Sequence, residues 1–148
     1  MSNCSPHAKK SPTRAGGIIF DKTNKFIVLV LNKDSFLKNE NKWGLPKGHL
    51  NECERNKPHI GAQREIWEET GIYFPITEDT FSICVFDTLY YVLVLDKYHN
   101  PLFETNDSCE IVKVIWFPID NLKNLNVNRT LAKIIKKWKS IFPNINTN

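Results

Sequence analysis

Residues 43–72 read WGLPKGHLNECERNKPHIGAQREIWEETGI and carry the clearest structural signals of the chain. Residues 43–45 predict a short strand, which Pro46 ends because proline cannot donate a hydrogen bond to a strand ladder. Residues 46–57 are mostly polar and predict a loop. A short strand therefore leads through this loop into an acidic segment.

The acidic segment begins and ends with helix signals. Asn56 is a candidate N-cap, Pro58 suits a first helical turn, and Gly71 stands where a left-handed C-terminal cap is common. We therefore predict a helix over residues 58–70.

Three glutamates of this helix share one face. Glu65, Glu68 and Glu69 are spaced at i, i+3 and i+4, which brings their carboxylates within about one turn. Such a cluster offers oxygen ligands to Mg²⁺, which keeps its remaining positions for water and phosphate. Ala62 and Ile66 lie on the opposite face and are expected to pack against a sheet. The alternative is an acidic face that is merely solvated.

The loop before the helix favours the metal site over a solvated face. Gly44 and Gly48 allow close approach of the backbone to a ligand, and Lys47 can bind a phosphate as a point charge. The short strand, the glycine-lysine loop and the carboxylate helix together predict one phosphate and metal site.

The rest of the chain predicts an α/β fold with a mixed sheet. Apolar, β-branched and aromatic residues predict strands over residues 15–20, 26–31, 81–88, 90–96 and 110–119. The third and fourth segments could instead form one bent ribbon. Residues 32–41 are polar and predict a loop. We expect residues 1–13 to be a flexible N-terminal arm and residues 14–148 to form a single domain.

The C-terminal segment predicts a basic amphipathic helix. Its apolar residues recur at helical spacing: Leu131, Ile134, Ile135, Trp138 and Ile141. Lysines occupy mostly the other faces, and Lys133 and Lys137 are candidate contacts for substrate phosphates. The alternative is that the apolar residues dock the helix while the lysines are solvated.

The net charge of +4 is unevenly distributed along the 148 residues. Residues 52–69 are acidic, whereas residues 9–14 and 133–139 are basic. An acidic pocket that binds divalent cations and is rimmed by basic residues suits the hydrolysis of a polyanionic substrate.

The composition is that of a globular protein. Apolar residues make up 41% and charged residues 24%, and no apolar run approaches the roughly 20 residues that a membrane helix needs. The basic N-terminal residues lack the apolar core of a secretory signal, so we expect a cytoplasmic or nuclear protein. The cysteines have neither zinc-ligand nor disulfide-framework spacing, and we expect free thiols.

The motif in residues 48–72 resembles the signature of the Nudix hydrolases. That signature is Gly, five residues, Glu, seven residues, then Arg-Glu-apolar-x-Glu-Glu-x-Gly-apolar. Gly48, Glu54 and the run REIWEETGI at residues 64–72 correspond to it. Nine residues instead of seven separate Glu54 from Arg64, so Glu52 or the Glu54 backbone is an alternative to the Glu54 side chain.

The resemblance implies a Nudix fold, a mixed β-sheet sandwiched between α-helices. It also implies a site for roughly two to three Mg²⁺ or Mn²⁺ ions. The implied metal ligands are the carboxylates of Glu65, Glu68 and Glu69 and the carbonyl oxygen of Gly48. Arg64 is implied to orient the glutamates through salt bridges.

The catalytic base varies within this family. Glu110, in the stretch CEIVKVIWFPID, resembles the glutamate that opens a late strand in mRNA-decapping members. It is our candidate for the base or for an additional metal ligand, and Glu104 is the reserve candidate. The alternative for Glu110 is a surface glutamate at the start of a strand. The catalytic candidates are therefore Glu68, Glu110 and Arg64.

The implied reaction is attack of water on a diphosphate linked to another moiety. The leading substrate is the 5′ cap of mRNA, with release of m7GDP and with Lys47, Lys133 and Lys137 as substrate-binding candidates. Diphosphoinositol polyphosphates and diadenosine polyphosphates are alternative substrates. A non-catalytic binding module is the alternative of another class, disfavoured because all three helix glutamates are present. We expect no membrane partner and no DNA sequence recognition, and the oligomeric state stays open.

Overall fold

The computed structural model describes residues 11–100 and 104–145. The strands are β1 (Arg14–Asp21), β2 (Phe26–Asn32), β3 (Trp43–Gly44), β4 (Lys47–His49), β5 (Ser82–Val85), β6 (Thr88–Leu95) and β7 (Ile111–Pro118). The helices are α1 (Lys33–Leu37), α2 (Pro58–Thr70), α3 (Arg129–Lys136) and α4 (Trp138–Ile141). Two 3-10 turns cover Glu52–Glu54 and Ile119–Asn124.

The strands form one mixed sheet of seven members. Its main path is β3-β2-β1-β6-β5, while β4 pairs with β1 and β7 pairs with β2. The β1–β6 pairing is parallel, in register from Arg14 opposite Thr88 to Asp21 opposite Leu95, and the other pairings are antiparallel. The central strand β1 is buried along nearly its whole length, which explains its continuous apolar run.

Helices cover both faces of the sheet, as predicted. On one face, Ala62 and Ile66 of α2 pack in a buried cluster with Ile19 of β1. On the other face, Trp138 of α4 lies edge-on against Phe20 of β1, with 5.7 Å between the ring centroids. The two apolar clusters fix α2 and the C-terminal helices against the same central strand.

The prediction of a helix over residues 58–70 is confirmed at both ends. Pro58 occupies the first turn and Gly71 adopts a left-handed conformation with φ of 78°. The predicted N-cap is wrong: Lys57, and not Asn56, precedes the helix, without a side-chain capping bond. Asn106 supplies an end cap that the sequence did not reveal, since its Nδ2 donates to the Trp67 carbonyl oxygen at 2.9 Å.

Two predicted loops contain regular structure. Residues 33–37 form α1, which has no buried side chain and therefore leaves no apolar periodicity in the sequence. Residues 47–49 form β4 because they pair with β1, although their own sequence KGH has low strand propensity. The 3-10 turn that follows is capped by Asn51 and Glu54.

The segments at residues 81–88 and 90–96 form two antiparallel strands and not one bent ribbon. Val85 of β5 pairs with Thr88 of β6, so Phe86 and Asp87 make a two-residue turn between them. The predicted C-terminal helix is divided at Lys137 into α3 and α4. The Asn128 side chain caps α3 by accepting a hydrogen bond from Leu131 N at 2.9 Å.

The expectation of free thiols is wrong for one of the three cysteines that the structure describes. Cys84 is disulfide-bonded, whereas Cys53 and Cys109 carry free thiols. Spacing along the chain does not reveal which cysteines folding brings together, so sequence could not decide this point. Residues 1–10, including Cys4 and most of the predicted N-terminal arm, lie outside the described residues.

No helix within residues 11–100 and 104–145 is long and apolar enough to cross a membrane.

The left-handed cap of α2 leads to a stability prediction. In Gly71→Ala, the new Cβ would lie 2.6 Å from the Glu104 carbonyl oxygen and would occupy a conformation that disfavours L-residues. We expect a loss of about 1–2 kcal/mol and a decrease in Tm of roughly 2–8 °C in thermal unfolding. Gly71→Asn should lose less than Gly71→Ala, because asparagine tolerates this conformation better. Equal Tm values for Gly71→Ala and the unmodified chain would contradict the prediction.

Candidate active site

A cleft of about 330 Å³ opens where β4, the start of β7 and the C-terminal half of α2 meet. It is lined by Arg14, Asn32, Lys33, Asp34, Lys47, Gly48, His49, Glu69, Cys109 and Glu110. The sheet pairings explain this convergence, since β4 pairs with β1 and β7 pairs with β2. Residues that are far apart in sequence therefore line one cleft that is rich in charge.

Helix α2 presents Glu69 to this cleft from a nearly buried position. The side chain is 5% exposed, and its Oε1 accepts a hydrogen bond from the backbone N–H of Lys47 at 3.1 Å. Glu65, one turn earlier, lies directly against Gly48. The contact is so close that a Cβ atom at position 48 would overlap the Glu65 carboxylate. The predicted glycine-lysine loop and the predicted carboxylate face are thus in contact.

Arg64 forms the network of ion pairs that the family resemblance implied. Its Nη1 lies 2.8 Å from Glu65 Oε1 and 2.8 Å from Glu68 Oε2. Its Nε and Nη2 each donate to Glu54 at 2.9 Å, and Nη2 also donates to the His49 carbonyl oxygen at 3.0 Å. The guanidinium thus links the loop to the carboxylate face of α2.

The side chain of Glu54 reaches Arg64 despite the two additional residues between them. Glu54 is 5% exposed, and it also accepts the Asn51 N–H at 2.8 Å. Glu52 is exposed and forms no such ion pair within residues 11–100 and 104–145. The Glu54 side chain, and not that of Glu52, therefore occupies the position of the first glutamate in the signature.

The electrostatics of the carboxylates differ according to burial and partners. Burial raises the pKa of Glu69 to about 8, and the nearby charges of Glu65 and Glu110 act in the same direction. Burial also raises the pKa of Glu65, although Arg64 opposes this effect. By contrast, the hydrogen bonds from Arg64 lower the pKa of Glu54. Among these three carboxylates, a bound cation would therefore favour the ionised form of Glu69 most.

The donor set fits a divalent cation. Carboxylates of Glu65 and Glu69 beside the Gly48 backbone are hard oxygen ligands of the kind that Mg²⁺ and Mn²⁺ bind. A cation there would compensate the charge that makes ionisation of buried Glu69 unfavourable. The described residues do not contain three or more His, Cys, Asp or Glu side chains already gathered as a metal site. Arg64 holds Glu65 and Glu68 in ion pairs instead.

Glu110 and Glu104 have different surroundings. Glu110 lies immediately before β7 and lines the cleft together with Glu69. Its carbonyl oxygen accepts the Lys33 N–H at 2.7 Å, which joins α1 to this side of the cleft. Glu104 and Glu110 are both exposed, but Glu104 is not among the residues that line the cleft, so the geometry favours Glu110 as the base candidate.

The predicted substrate-binding lysines do not lie together. Lys47 lines the cleft, whereas Lys133 and Lys137 are exposed and line a separate groove beside β5. Sequence analysis missed Lys33 and His49 as cleft residues. His49 belongs to the KGH stretch that had been noted, but Lys33 had no signal because only the sheet brings it here.

The chain is similar in sequence to one family of known proteins. The family model described as NUDIX domain matches residues 10–138. The chain is 38% identical over 113 residues to the m7GpppN-mRNA hydrolase dcap-2 of Caenorhabditis elegans, covering 72% of this chain and 14% of that protein. It is 29% identical over 121 residues to Nudix hydrolase 7 of Arabidopsis thaliana, covering 71% of this chain and 38% of that protein. The chain thus spans less than half the length of these two relatives.

Solved structures share the fold at low sequence identity. A Caenorhabditis elegans Ap4A hydrolase in a binary complex superposes with a TM-score of 0.59 at 19% identity, covering 89% of this chain and 98% of that one. The NUDIX domain of Shewanella oneidensis NrtR, complexed with ADP ribose, superposes with a TM-score of 0.65 at 16% identity, covering 94% of each chain. These similarities support the fold alone.

Proposed function

The chain belongs to the NUDIX family, and from this premise we propose that it is a divalent-metal-dependent pyrophosphohydrolase whose leading substrate is the 5′ cap of mRNA. One observation carries the proposal: Lys47, Glu69 and Glu110 line the same cleft, with Glu65 against the adjoining Gly48 backbone. Candidate metal ligands, a candidate phosphate-binding cation and a candidate base would then surround one volume that can receive a diphosphate.

The carboxylates of Glu65 and Glu69 would hold the metal, with Glu68 and the Gly48 carbonyl oxygen as further ligands. Roughly two to three Mg²⁺ or Mn²⁺ ions would neutralise charge on the phosphates and lower the pKa of the attacking water. Arg64 positions Glu65 and Glu68 through its ion pairs. It acts through these glutamates and is therefore a positioning residue.

The reaction adds one water molecule across a phosphoanhydride bond. The water oxygen forms the new P–O bond, and the bridging P–O bond breaks as the leaving phosphate departs with the bridging oxygen. Glu110 takes the proton of the attacking water, a role that suits an exposed carboxylate that lines the cleft. Lys47, Lys33 and Arg14 line the cleft and bind the phosphate oxygens as cations.

The preference for capped RNA rests on sequence similarity and charge. The relative of 38% identity is an m7GpppN-mRNA hydrolase, and the similarity covers 72% of this chain. In addition, α3 carries lysines on its exposed side, which suits a polyanion longer than a small nucleotide.

The test is an analysis of Mg²⁺-dependent products from capped RNA, diadenosine polyphosphates and diphosphoinositol polyphosphates in parallel. We expect release of m7GDP from capped RNA. Turnover of only the small substrates would reject the cap as substrate while retaining the pyrophosphohydrolase. Absence of turnover with every substrate, under conditions where they bind, would favour a binding module and reject the proposal.

A further inference from the structure

A second cavity lies at the opposite end of α2 from the candidate active site. It has a volume of about 410 Å³ and shares no lining residue with the cleft that contains Glu69. The first turn of α2 forms one side of it, and Ser82 of β5 and Tyr91 of β6 line another. Pro58, which lines this cavity, and Glu69 lie roughly 16 Å apart along the helix axis, so the two sites are separate.

Two buried hydroxyl groups of this cavity have no hydrogen-bond partner within residues 11–100 and 104–145. Ser82 is 2% exposed and Tyr91 is 4% exposed. The two residues pair directly across β5 and β6, so both side chains lie on the face of the sheet that packs against α2. In this part of the chain no unpaired side-chain oxygen is closed to solvent, and the cavity is the opening that both residues line. A ligand that bonds to these hydroxyls would offset the cost of leaving them unpaired.

The first turn of α2 adds a third unpaired donor. Lys57 supplies no side-chain cap, Pro58 has no N–H, and the Ile60 N–H donates to the Lys57 carbonyl oxygen at 3.0 Å. The His59 N–H has no acceptor in the described ranges, and it lies at the positive end of the helix dipole. The exposed Arg55 lines the same cavity and forms no ion pair with any residue that the structure describes.

These donors favour a phosphate group as the ligand. Burial raises the pKa of Tyr91 to about 12, and the nearby charge of Glu78 acts in the same direction, so the phenol stays protonated and can donate. A tetrahedral phosphate has enough oxygens to accept from both hydroxyls, the helix N–H and the Arg55 guanidinium together. The volume of the cavity is typical of small-molecule sites, which leaves room for an organic group on the phosphate.

We propose that Ser82, Tyr91 and the start of α2 form a binding site for the phosphate group of a small phosphate monoester. The two hydroxyls and the His59 N–H donate to the phosphate oxygens, and Arg55 binds them as a cation. Glu78 also lines the cavity and accepts a hydrogen bond from a hydroxyl of the organic part. The site does not depend on the proposed function, because none of its residues lines the candidate active site.

The test measures binding to the full chain in the presence of a chelator, so that no metal in the cleft can bind the ligand. Glycerol 3-phosphate is the probe, inorganic phosphate is the ligand without an organic part, and glycerol is the uncharged control. Isothermal titration calorimetry gives the Kd, which we expect to be about 1 mM or lower for the probe. Amide chemical shifts in NMR spectra locate the binding, since the His59 amide reports on this site and the Lys47 amide on the cleft.

Single hydroxyl deletions test the proposed contacts. Tyr91→Phe keeps the ring and should raise the Kd for glycerol 3-phosphate by roughly tenfold, the effect of losing one hydrogen bond to an anion. Ser82→Ala should have a similar effect. Without ligand, neither variant should have a lower Tm, because neither hydroxyl bonds to a described residue. Tyr90→Phe is the matched control: it removes the same atom from the neighbouring buried residue, which does not line the cavity, and should keep the Kd.

Four outcomes would overturn the site. The first is no saturable shift of the His59 amide, and the second is a shift confined to the Lys47 amide. The third is an unchanged Kd in both Tyr91→Phe and Ser82→Ala. The fourth is a lower ligand-free Tm in both variants, since their hydroxyls would then already be bonded within the fold. Tighter binding of inorganic phosphate than of glycerol 3-phosphate would overturn the assignment of a monoester.

Discussion

Glu69→Gln is expected to lower turnover by roughly 10²–10⁴-fold, because bound metal contributes several kcal/mol to catalysis and each 1.4 kcal/mol is a factor of ten. Glutamine has nearly the same shape, and its amide oxygen can still accept the Lys47 N–H that Glu69 Oε1 accepts. It supplies no negative charge for a divalent cation. Initial rates with the best substrate from the product analysis, at saturating Mg²⁺, provide the measurement.

The control for this variant is Glu40→Gln, which makes the same chemical change at an exposed position outside the cleft. It should keep the rate of the unmodified chain. If Glu69→Gln also kept that rate, Glu69 would not be a metal ligand and the assignment of the site would be wrong.

The same variant should lack a pH dependence of stability that we expect in the metal-free chain. The folded pKa of Glu69, about 8, lies above its ordinary value of 4.5. The stability contributed by the protonated form is therefore fully present below pH 4.5 and is lost as the pH rises through 8. With a chelator present, the Tm of the unmodified chain should fall more than the Tm of Glu69→Gln as the pH rises over this interval. Parallel pH dependences would contradict the assigned pKa shift.

Arg64→Met is expected to destabilise the fold by about 3 kcal/mol, the lower end of the cost of breaking a buried ion pair, because Arg64 is partly exposed. The change leaves Glu54, whose side chain is 7% exposed, without the guanidinium that binds both of its oxygens. The expected decrease in Tm is roughly 6–12 °C for a chain of this size. Thermal or urea unfolding measures it.

A second pair of variants tests whether the ion pair itself is responsible. Arg55→Met removes an exposed arginine in the same loop and should change Tm little. In Arg64→Met combined with Glu54→Gln, position 54 no longer carries an unpaired buried charge, whereas Glu65 still lacks its guanidinium partner, so part of the stability should return. A double variant that is no more stable than Arg64→Met would show that the loss came from packing and not from the unpaired carboxylate.

Local sequence was sufficient where neighbouring residues determine the structure. Pro58 and Gly71 define both ends of α2, and the spacing of Glu65, Glu68 and Glu69 defines its acidic face, because these properties depend on residues within one or two turns. The same holds for the apolar face of Ala62 and Ile66. Local sequence does not predict β4, because this short polar strand exists only through its pairing with β1.

The sequence by itself therefore determined the acidic helix, its carboxylates, the preceding glycine-lysine loop and the family to which they belong. The tertiary structure decided that Glu54 reaches Arg64 across the longer loop, and that Glu110 and Lys33 join Glu69 in one cleft. It also separated Lys133 from that cleft and placed it over Phe86. The physical reason is that helix periodicity and capping act over a few residues, whereas a cleft is formed by strand pairing and packing between distant segments.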